Sequence, residues 1–81
     1  MNGFNFNILV KSSQAFSPEG LMQNYARKNS RMSFGYDRNG RAYLDICGTR
    51  FYYSHWSAQP VSSDTQLVIV YLVEDNEGGK T

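Results

Sequence analysis

Residues 31–56, RMSFGYDRNGRAYLDICGTRFYYSHW, decide the fold that the sequence predicts. Apolar and polar residues alternate along three segments of this stretch, and Gly40 and Gly48 separate the segments. Alternation with a period of two is typical of a β-strand with one buried face, and glycine between such runs is typical of tight turns. The stretch therefore predicts a three-stranded antiparallel meander.

The first turn of the meander has two candidate registers. A two-residue turn would pair Phe34 with Asp45 and would split the apolar side chains between both faces of the sheet. A three-residue loop over residues 38–40, with Gly40 in the left-handed region, pairs Phe34 with Leu44 instead. Because a shift of one residue moves every side chain to the other face, the apolar pattern favours the three-residue loop.

The second turn is predicted at Gly48-Thr49, as a type II′ turn with glycine at its first central position. This turn would pair Ile46 with Phe51 and would direct His55 toward the core. The opposite face of the meander then receives an alternating set of arginine, tyrosine and tryptophan side chains. The residues of this face that we predict to bind a partner are Arg31, Arg41, Tyr43, Arg50, Tyr52 and Trp56.

The segments on either side of the meander complete the domain. Residues 4–10 alternate as a strand, and Ser-Pro-Glu at 17–19 is typical of a helix N-terminus, which predicts a helix that ends near residue 28 or 29. Residues 57–65 form a polar segment with a proline, which indicates a loop. Residues 66–74, QLVIVYLVE, are apolar on both faces, as is typical of a central strand.

The predicted order is β-α-β-β-β-β, a two-layer α+β domain in which one helix packs on one face of a mostly antiparallel five-stranded sheet. A single domain should span residues 1–75, and residues 76–81 should be a disordered C-terminal tail. The strand order cannot be derived from the pattern alone, although a fifth strand beside the first would explain its two apolar faces. A homodimer that covers the rear face of the fifth strand is a further prediction.

The composition indicates one small globular domain. The chain has 81 residues, of which 41% are hydrophobic and 19% charged, and this balance argues against disorder. Its single cysteine, Cys47, excludes an internal disulfide and favours a reducing compartment. The N-terminal residues lack the pattern of a secretory signal, and no apolar run approaches the roughly 20 residues that span a bilayer, so we predict a cytoplasmic protein without a membrane partner.

A net charge of +1 hides an asymmetry along the chain. Residues 27–50 hold six basic and two acidic residues, whereas the rest of the chain holds two basic and five acidic ones. A basic segment of this kind indicates either a charged partner or an ordinary solvated surface. For RNA or DNA as the partner, the candidate phosphate contacts are Arg27, Lys28 and Arg38.

Catalytic chemistry has little support in the sequence. One histidine, His55, and one cysteine, Cys47, are too few for a tetrahedral metal site, and no phosphate-binding or dinucleotide motif is present. The sequence therefore predicts no enzyme, no metal, no cofactor and no catalytic residues. A small toxin-like ribonuclease that uses His55, Tyr53, Arg50 and Arg41 is an alternative based on residue type alone.

The sequence favours a small non-catalytic binding module that docks another protein, as an inhibitor or regulator of a larger macromolecular machine. Tyrosine, tryptophan and arginine dominate protein interfaces, but they also bind single-stranded nucleic acids, so RNA or DNA binding by residues 27–50 is the alternative. The same residue types are good strand formers, and a plain solvent face would also contain them. The size and composition are compatible with an accessory protein of a mobile element, and no motif identifies a known family.

Overall fold

A computed structural model describes residues 3–75, so the predicted tail at 76–81 lies outside the described residues. The five strands form one sheet in the order β1-β5-β4-β3-β2, and every neighbouring pair is antiparallel. The predicted two-layer α+β fold with one helix is confirmed. The elements are β1 (Gly3–Lys11), α1 (Pro18–Arg27), β2 (Met32–Tyr36), β3 (Ala42–Ile46), β4 (Thr49–Pro60) and β5 (Thr65–Glu74).

The strand order places β5 in the interior of the sheet. This strand lies between β1 and β4, so both of its edges are paired along most of its length. The expectation that the fifth strand lies beside the first is therefore confirmed. Because β1 and β2 occupy opposite edges of the sheet, the connection through α1 crosses the sheet from one edge to the other.

The helix begins as its sequence predicts. Ser17 is the N-cap, its hydroxyl oxygen accepts a hydrogen bond from the Gly20 amide at 3.0 Å, and Pro18 occupies the first helical position. Its buried side chains are Leu21, Met22 and Ala26. The helix backbone lies closest to β2 and β3, and the phenolic oxygen of Tyr36 at the end of β2 donates a hydrogen bond of 2.8 Å to Glu19.

One face of the sheet carries the core, and α1 covers it. The core extends to β1, where the ring of Phe6 stacks parallel to that of Tyr25 in α1, with 4.2 Å between the ring centroids. Within residues 3–75, no helix or strand covers the other face, which we call the open face. The buried core residues are Phe6, Val10, Leu21, Met22, Ala26, Ala42, Leu44, Val68, Val70 and Leu72. The larger side chains of the open face include Asn5, Asn7, Leu9, Arg41, Tyr43, Asp45, Arg50, Tyr52, His55, Gln59, Leu67, Ile69, Tyr71 and Val73.

The first hairpin has the predicted register. Phe34 pairs with Leu44, and Gly40 has a φ of +84°, in the left-handed region. The carboxylate of Asp37 accepts hydrogen bonds from the amides of Asn39 (2.9 Å) and Arg41 (2.8 Å), which holds the loop closed. Local turn chemistry and the apolar pattern therefore favour the same register.

The predicted second turn is placed one residue too late in the chain, which makes the predicted register between β3 and β4 wrong by two residues. The structure pairs Ile46 with Thr49, so the central residues of the turn are Cys47 and Gly48, with φ values of +53° and +91°. Two positive φ values define a type I′ turn, whose twist matches that of the strands it joins. Asp45 stabilises this turn by accepting a hydrogen bond from the Gly48 amide at 3.0 Å. Because the register differs from the predicted one by two residues, the side chains of residues 50–53 stay on their predicted faces of the sheet.

A bulge in β4 makes the predicted positions of His55 and Trp56 wrong. Tyr53 pairs with Leu72, but His55 pairs with Tyr71, so Ser54 is an extra residue in the ladder. One extra residue exchanges the two faces for everything that follows it. His55 therefore points to the open face, and Trp56 points to the helix face.

The predicted loop over residues 57–65 is mostly strand. β4 continues to Pro60 and β5 begins at Thr65, which leaves residues 61–64 as the connection. The β3 strand pairs only with residues 49–52 of β4, so the second half of β4 is an edge. An edge strand tolerates proline because its outward amide needs no partner.

The Cys47-Gly48 turn provides a stability prediction. A non-glycine residue at φ +53° is strained, and asparagine tolerates this conformation better than cysteine does. We expect Cys47→Asn to raise the free energy of unfolding by about 0.5–1 kcal/mol, measured by urea denaturation. Cys47→Val, which places a β-branched residue there, should lower it. Equal stability of the two variants would contradict the assigned turn.

Candidate functional site

Four of the six predicted binding residues lie together on the open face. Three are in the neighbouring strands β3 and β4, and Arg41 directly precedes β3. The guanidinium of Arg50 lies 3.8 Å from the ring centroid of Tyr43, and that of Arg41 lies 4.5 Å from the ring centroid of Tyr52. The two tyrosine rings meet edge to face at 5.7 Å. We call Arg41, Tyr43, Arg50 and Tyr52 the Arg/Tyr cluster.

The strand register brings this cluster together. Tyr43 and Tyr52 are directly opposite each other in the β3–β4 ladder, and Gly35 of β2 is opposite Tyr43 on the other side. A Cβ atom at Gly35 would lie 2.8 Å from the phenolic oxygen of Tyr43 and 2.9 Å from Cζ. The Tyr43 ring therefore lies over the glycine, and the absence of a side chain at Gly35 makes room for it.

The cluster favours the charged form of Arg50. A hydrogen bond of 3.4 Å from the Arg50 guanidinium to the Tyr52 hydroxyl raises the pKa of Arg50 above its already high usual value. Cation–π contacts fix both arginine head groups in place, with less rotamer freedom to lose when they bind a partner. The result is a surface on which a positive charge lies against each tyrosine ring.

An apolar row on β5 extends the site beyond the cluster. Leu67, Ile69, Tyr71 and Val73 point to the open face, where they are only partly buried, and Val73 is directly opposite Tyr52. His55 stacks on Tyr71 with ring centroids 4.5 Å apart and an interplanar angle of 12°. The predicted site did not include this row. The signal that could have identified it is the apolar pattern on both faces of β5.

Trp56 and Arg31 lie outside the cluster. Trp56 is 43% exposed and sits on the helix face, where its ring meets Phe16 edge to face at 5.0 Å. Its predicted place on the same face as Tyr52 is therefore wrong. Arg31 lies just before β2, where its carbonyl accepts a hydrogen bond from the Cys47 amide, about four residues along the sheet from Tyr43.

The candidate phosphate contacts fall into two groups. Arg27 and Lys28 are at the C-terminal end of α1 and are exposed, whereas Arg38 is in the loop after β2. The five residues of β2 separate these positions by about 17 Å, at roughly 3.3 Å per residue. They do not form one compact basic patch.

Three of the four residues considered for a ribonuclease, Arg41, Arg50 and His55, lie on the open face, and Tyr53 does not. His55 is exposed on the open face and its Nδ1 lies 3.0 Å from the Ser54 hydroxyl, whereas Tyr53 faces the core side. Cys47 is exposed in its turn. Among residues 3–75, no group of three or more His, Cys, Asp or Glu side chains is placed to hold a metal ion. The described part of the chain also contains no helix that is long and apolar enough to cross a membrane.

The loop beside the cluster predicts a pH dependence. The hydrogen bond from the Arg41 amide, assisted by that from Asn39, lowers the pKa of Asp37. A lowered pKa in the folded state stabilises the fold above the pKa of the unfolded chain, about 3.9, and this stability is lost as the pH falls through the folded pKa. We therefore expect Asp37→Ala to lose less stability than wild type between pH 7 and about pH 3 in urea denaturation. An equal loss in both proteins would contradict the role of Asp37.

The geometry is thus an open sheet face with a cation–aromatic cluster beside an apolar row. Both parts lie on adjacent strands, and Tyr52 and Val73 join them directly. Comparisons of the chain with protein-family models, with curated proteins and with solved structures found no match.

Proposed function

We propose that the protein is a small non-catalytic binding module that docks another protein on its open face, as an inhibitor or regulator. The observation that carries this proposal is the continuity of the Arg/Tyr cluster with the apolar row of β5. An apolar centre beside arginine and tyrosine side chains is the usual composition of a protein interface. The single exposed cysteine supports a reducing compartment, the cytoplasm.

The chemistry of the face defines the kind of partner. The apolar row requires a partner surface with exposed aliphatic or aromatic side chains, since only burial of that row against similar groups gains free energy. The two fixed guanidinium groups require acceptors, and carboxylates or backbone carbonyls at the margin of the partner surface supply them. We therefore propose a protein surface with an apolar centre and an acidic margin.

Two observations make nucleic acid the less suitable occupant. A guanidinium lies over the ring of each tyrosine of the cluster, so it occupies the ring face on which a base would stack. The candidate phosphate contacts, Arg27 and Lys28 on one side and Arg38 on the other, do not line a continuous path for a phosphate backbone. RNA or DNA binding is the alternative that the same experiments test.

Photo-crosslinking from the open face tests the proposal. A benzophenone amino acid at Ser57, which is exposed beside Ile69, should crosslink to a protein partner in the cells that make this chain. The same group at Gln23, exposed on the helix, is the control and should not capture that partner. Crosslinks to nuclease-sensitive material, or equal capture from both positions, would contradict the proposal.

A matched pair of tyrosine variants locates the binding energy. Tyr52→Ala should weaken binding of the crosslinked partner by about 30-fold or more, because it removes an anchor and releases Arg41. Tyr36→Ala, on a tyrosine that is 53% exposed on the helix face, should change the affinity less than about threefold. Both variants should melt within a few degrees of wild type. Equal losses of affinity would show that the cluster is not the site.

Direct assays address the alternatives. We expect no binding of labelled single-stranded or double-stranded RNA or DNA in fluorescence-anisotropy titrations. Binding that weakens steeply as the salt concentration rises would instead indicate phosphate contacts. Incubation with RNA should show no cleavage. Cleavage that is lost in His55→Ala would contradict a non-catalytic role, because His55 is exposed on the open face.

A further inference from the structure

The β1 edge of the sheet exposes unpaired backbone groups. The Ser12 amide donates to the Asp64 carbonyl in the register that joins β1 to β5, so the even-numbered residues of β1 face β5. The amides and carbonyls of Asn5, Asn7 and Leu9 therefore point away from the sheet. No other strand among residues 3–75 pairs with this side of β1.

This edge lacks the features that normally prevent strands from pairing between molecules. β1 has nine residues, is regular throughout its register with β5, and contains neither proline nor any charged residue before Lys11 at its end. The opposite edge strand, β2, has five residues, and Arg31 and Asp37 flank it. The β2 edge is therefore protected, whereas the β1 edge is open.

We propose that a second copy of this chain adds to the β1 edge, with the two β1 strands antiparallel about a two-fold axis. The outward residues are odd-numbered, so the register that pairs the whole strand places Asn7 opposite the second copy's Asn7. In this register Asn5 is opposite the second copy's Leu9, and six backbone hydrogen bonds link the Asn5, Asn7 and Leu9 positions of the two chains. The two sheets become one sheet of ten strands.

The side chains match in this register. On the helix face, Phe6 lies opposite the second copy's Ile8, and Phe4 lies opposite the second copy's Val10, so apolar groups meet apolar groups. Each Lys11 lies opposite a glycine, Gly3, so like charges do not oppose one another.

The helix face also has room for the second copy. A cavity of about 340 Å³ lies between the C-terminal half of β1 and the first half of α1, and Ile8, Val10, Phe16 and Leu21 contribute to its lining. The second copy's Phe4, which is only partly buried in its own chain, is brought beside this cavity at Val10. The proposed contact uses the sheet edge, whereas the proposed function uses the open face, so each can fail without the other.

The mass in solution is the first test. An edge contact of this kind buries less surface than a standard interface, so light scattering should extend to about 0.5 mM protein. The mass should rise from 9.2 kDa toward twice that value with concentration. Asn7→Pro removes an outward amide, leaves the β1–β5 ladder intact and should weaken dimerisation about tenfold or more. A wild-type mass that stays at 9.2 kDa, or a dimer unaffected by Asn7→Pro, would overturn the proposal.

Charge substitutions test the pairing without proline. Asn7 is exposed on the open face, so Asn7→Lys and Asn7→Asp should both fold. Each variant alone should be monomeric, because like charges meet at the two-fold axis, and an equimolar mixture should recover the dimer. Dimers of either variant alone, or no recovery on mixing, would count against this interface.

Crosslinking tests the register. In a Cys47→Asn background, Asn7→Cys places two thiols on residues whose Cα atoms are about 5.5 Å apart, within the range of a disulfide. Oxidised glutathione should then produce a covalent dimer. Leu9→Cys in the same background is the control, since the two Leu9 Cα atoms would be about 14 Å apart. A covalent dimer from Leu9→Cys and none from Asn7→Cys would refute the register.

Discussion

Leu44→Ala should remove a large share of the stability of the fold, because this substitution removes the centre of a thin core. Leu44 is fully buried in β3, between strands that carry Phe34 and Phe51, and it belongs to the same cluster as Met22. Removing a buried leucine side chain costs about 2–5 kcal/mol, through lost apolar burial and the cavity left behind. A domain of this size has a total stability of about 4–12 kcal/mol.

Urea denaturation followed by circular dichroism measures this effect. We expect the midpoint of Leu44→Ala to fall by at least about 1 M, with an unchanged slope, if the loss is about 3 kcal/mol. Leu9→Ala is the matched control, because Leu9 is 63% exposed on β1 and should change stability by less than about 0.5 kcal/mol. Similar losses in both variants would mean that Leu44 is not at the centre of the core.

The parts of the fold that the sequence predicted correctly depend on local chemistry. Ser17 and Pro18 mark the helix start because a hydroxyl cap and a proline suit different backbone positions there. The first hairpin was predictable because only one register puts Phe34 and Leu44 on the same face while Gly40 takes a positive φ. In both cases neighbouring residues carry the whole signal.

The errors occur where two local patterns are nearly equivalent. Gly48 is suited to the first position of a type II′ turn and to the second position of a type I′ turn, and only the strain accepted at Cys47 distinguishes them. The extra residue Ser54 leaves no mark in the sequence, because tyrosine, serine, histidine and tryptophan fit either face of a strand. A bulge is fixed by the partner strand, here by the apolar Val68, Val70 and Leu72 of β5.

The candidate site was predictable up to the bulge. Arg41, Tyr43, Arg50 and Tyr52 precede Ser54 and lie together on one face, since a shift of two residues in the register leaves their faces unchanged. Trp56 follows the bulge and changes faces. The apolar row of β5 joins the cluster through a strand order that the sequence pattern could not supply, which is why sequence reasoning placed it at the rear of the sheet.

Gly35→Val should be destabilising in the wild type and stabilising once Tyr43 is removed. A side chain at Gly35 would displace the Tyr43 ring and break its contacts with Arg50 and Tyr52. We expect a cost of about 2 kcal/mol in wild type, from the forced rearrangement and the lost ring contacts. In a Tyr43→Ala background the space is free, and valine suits a strand better than glycine by about 0.5–1 kcal/mol.

The decisive result is the change of sign in the effect of Gly35→Val on the free energy of unfolding. A clash with the Tyr43 ring disappears when the ring is removed, whereas a general intolerance of β2 to a side chain does not. Urea denaturation of wild type, both single variants and the double variant gives the coupling energy between Gly35 and Tyr43, which should be about 2–3 kcal/mol. Equal destabilisation by Gly35→Val in both backgrounds would mean that the backbone, and not the ring, requires glycine. A coupling of the expected size would show that the Tyr43 ring lies over the bare backbone of Gly35 in the free protein, before any partner binds.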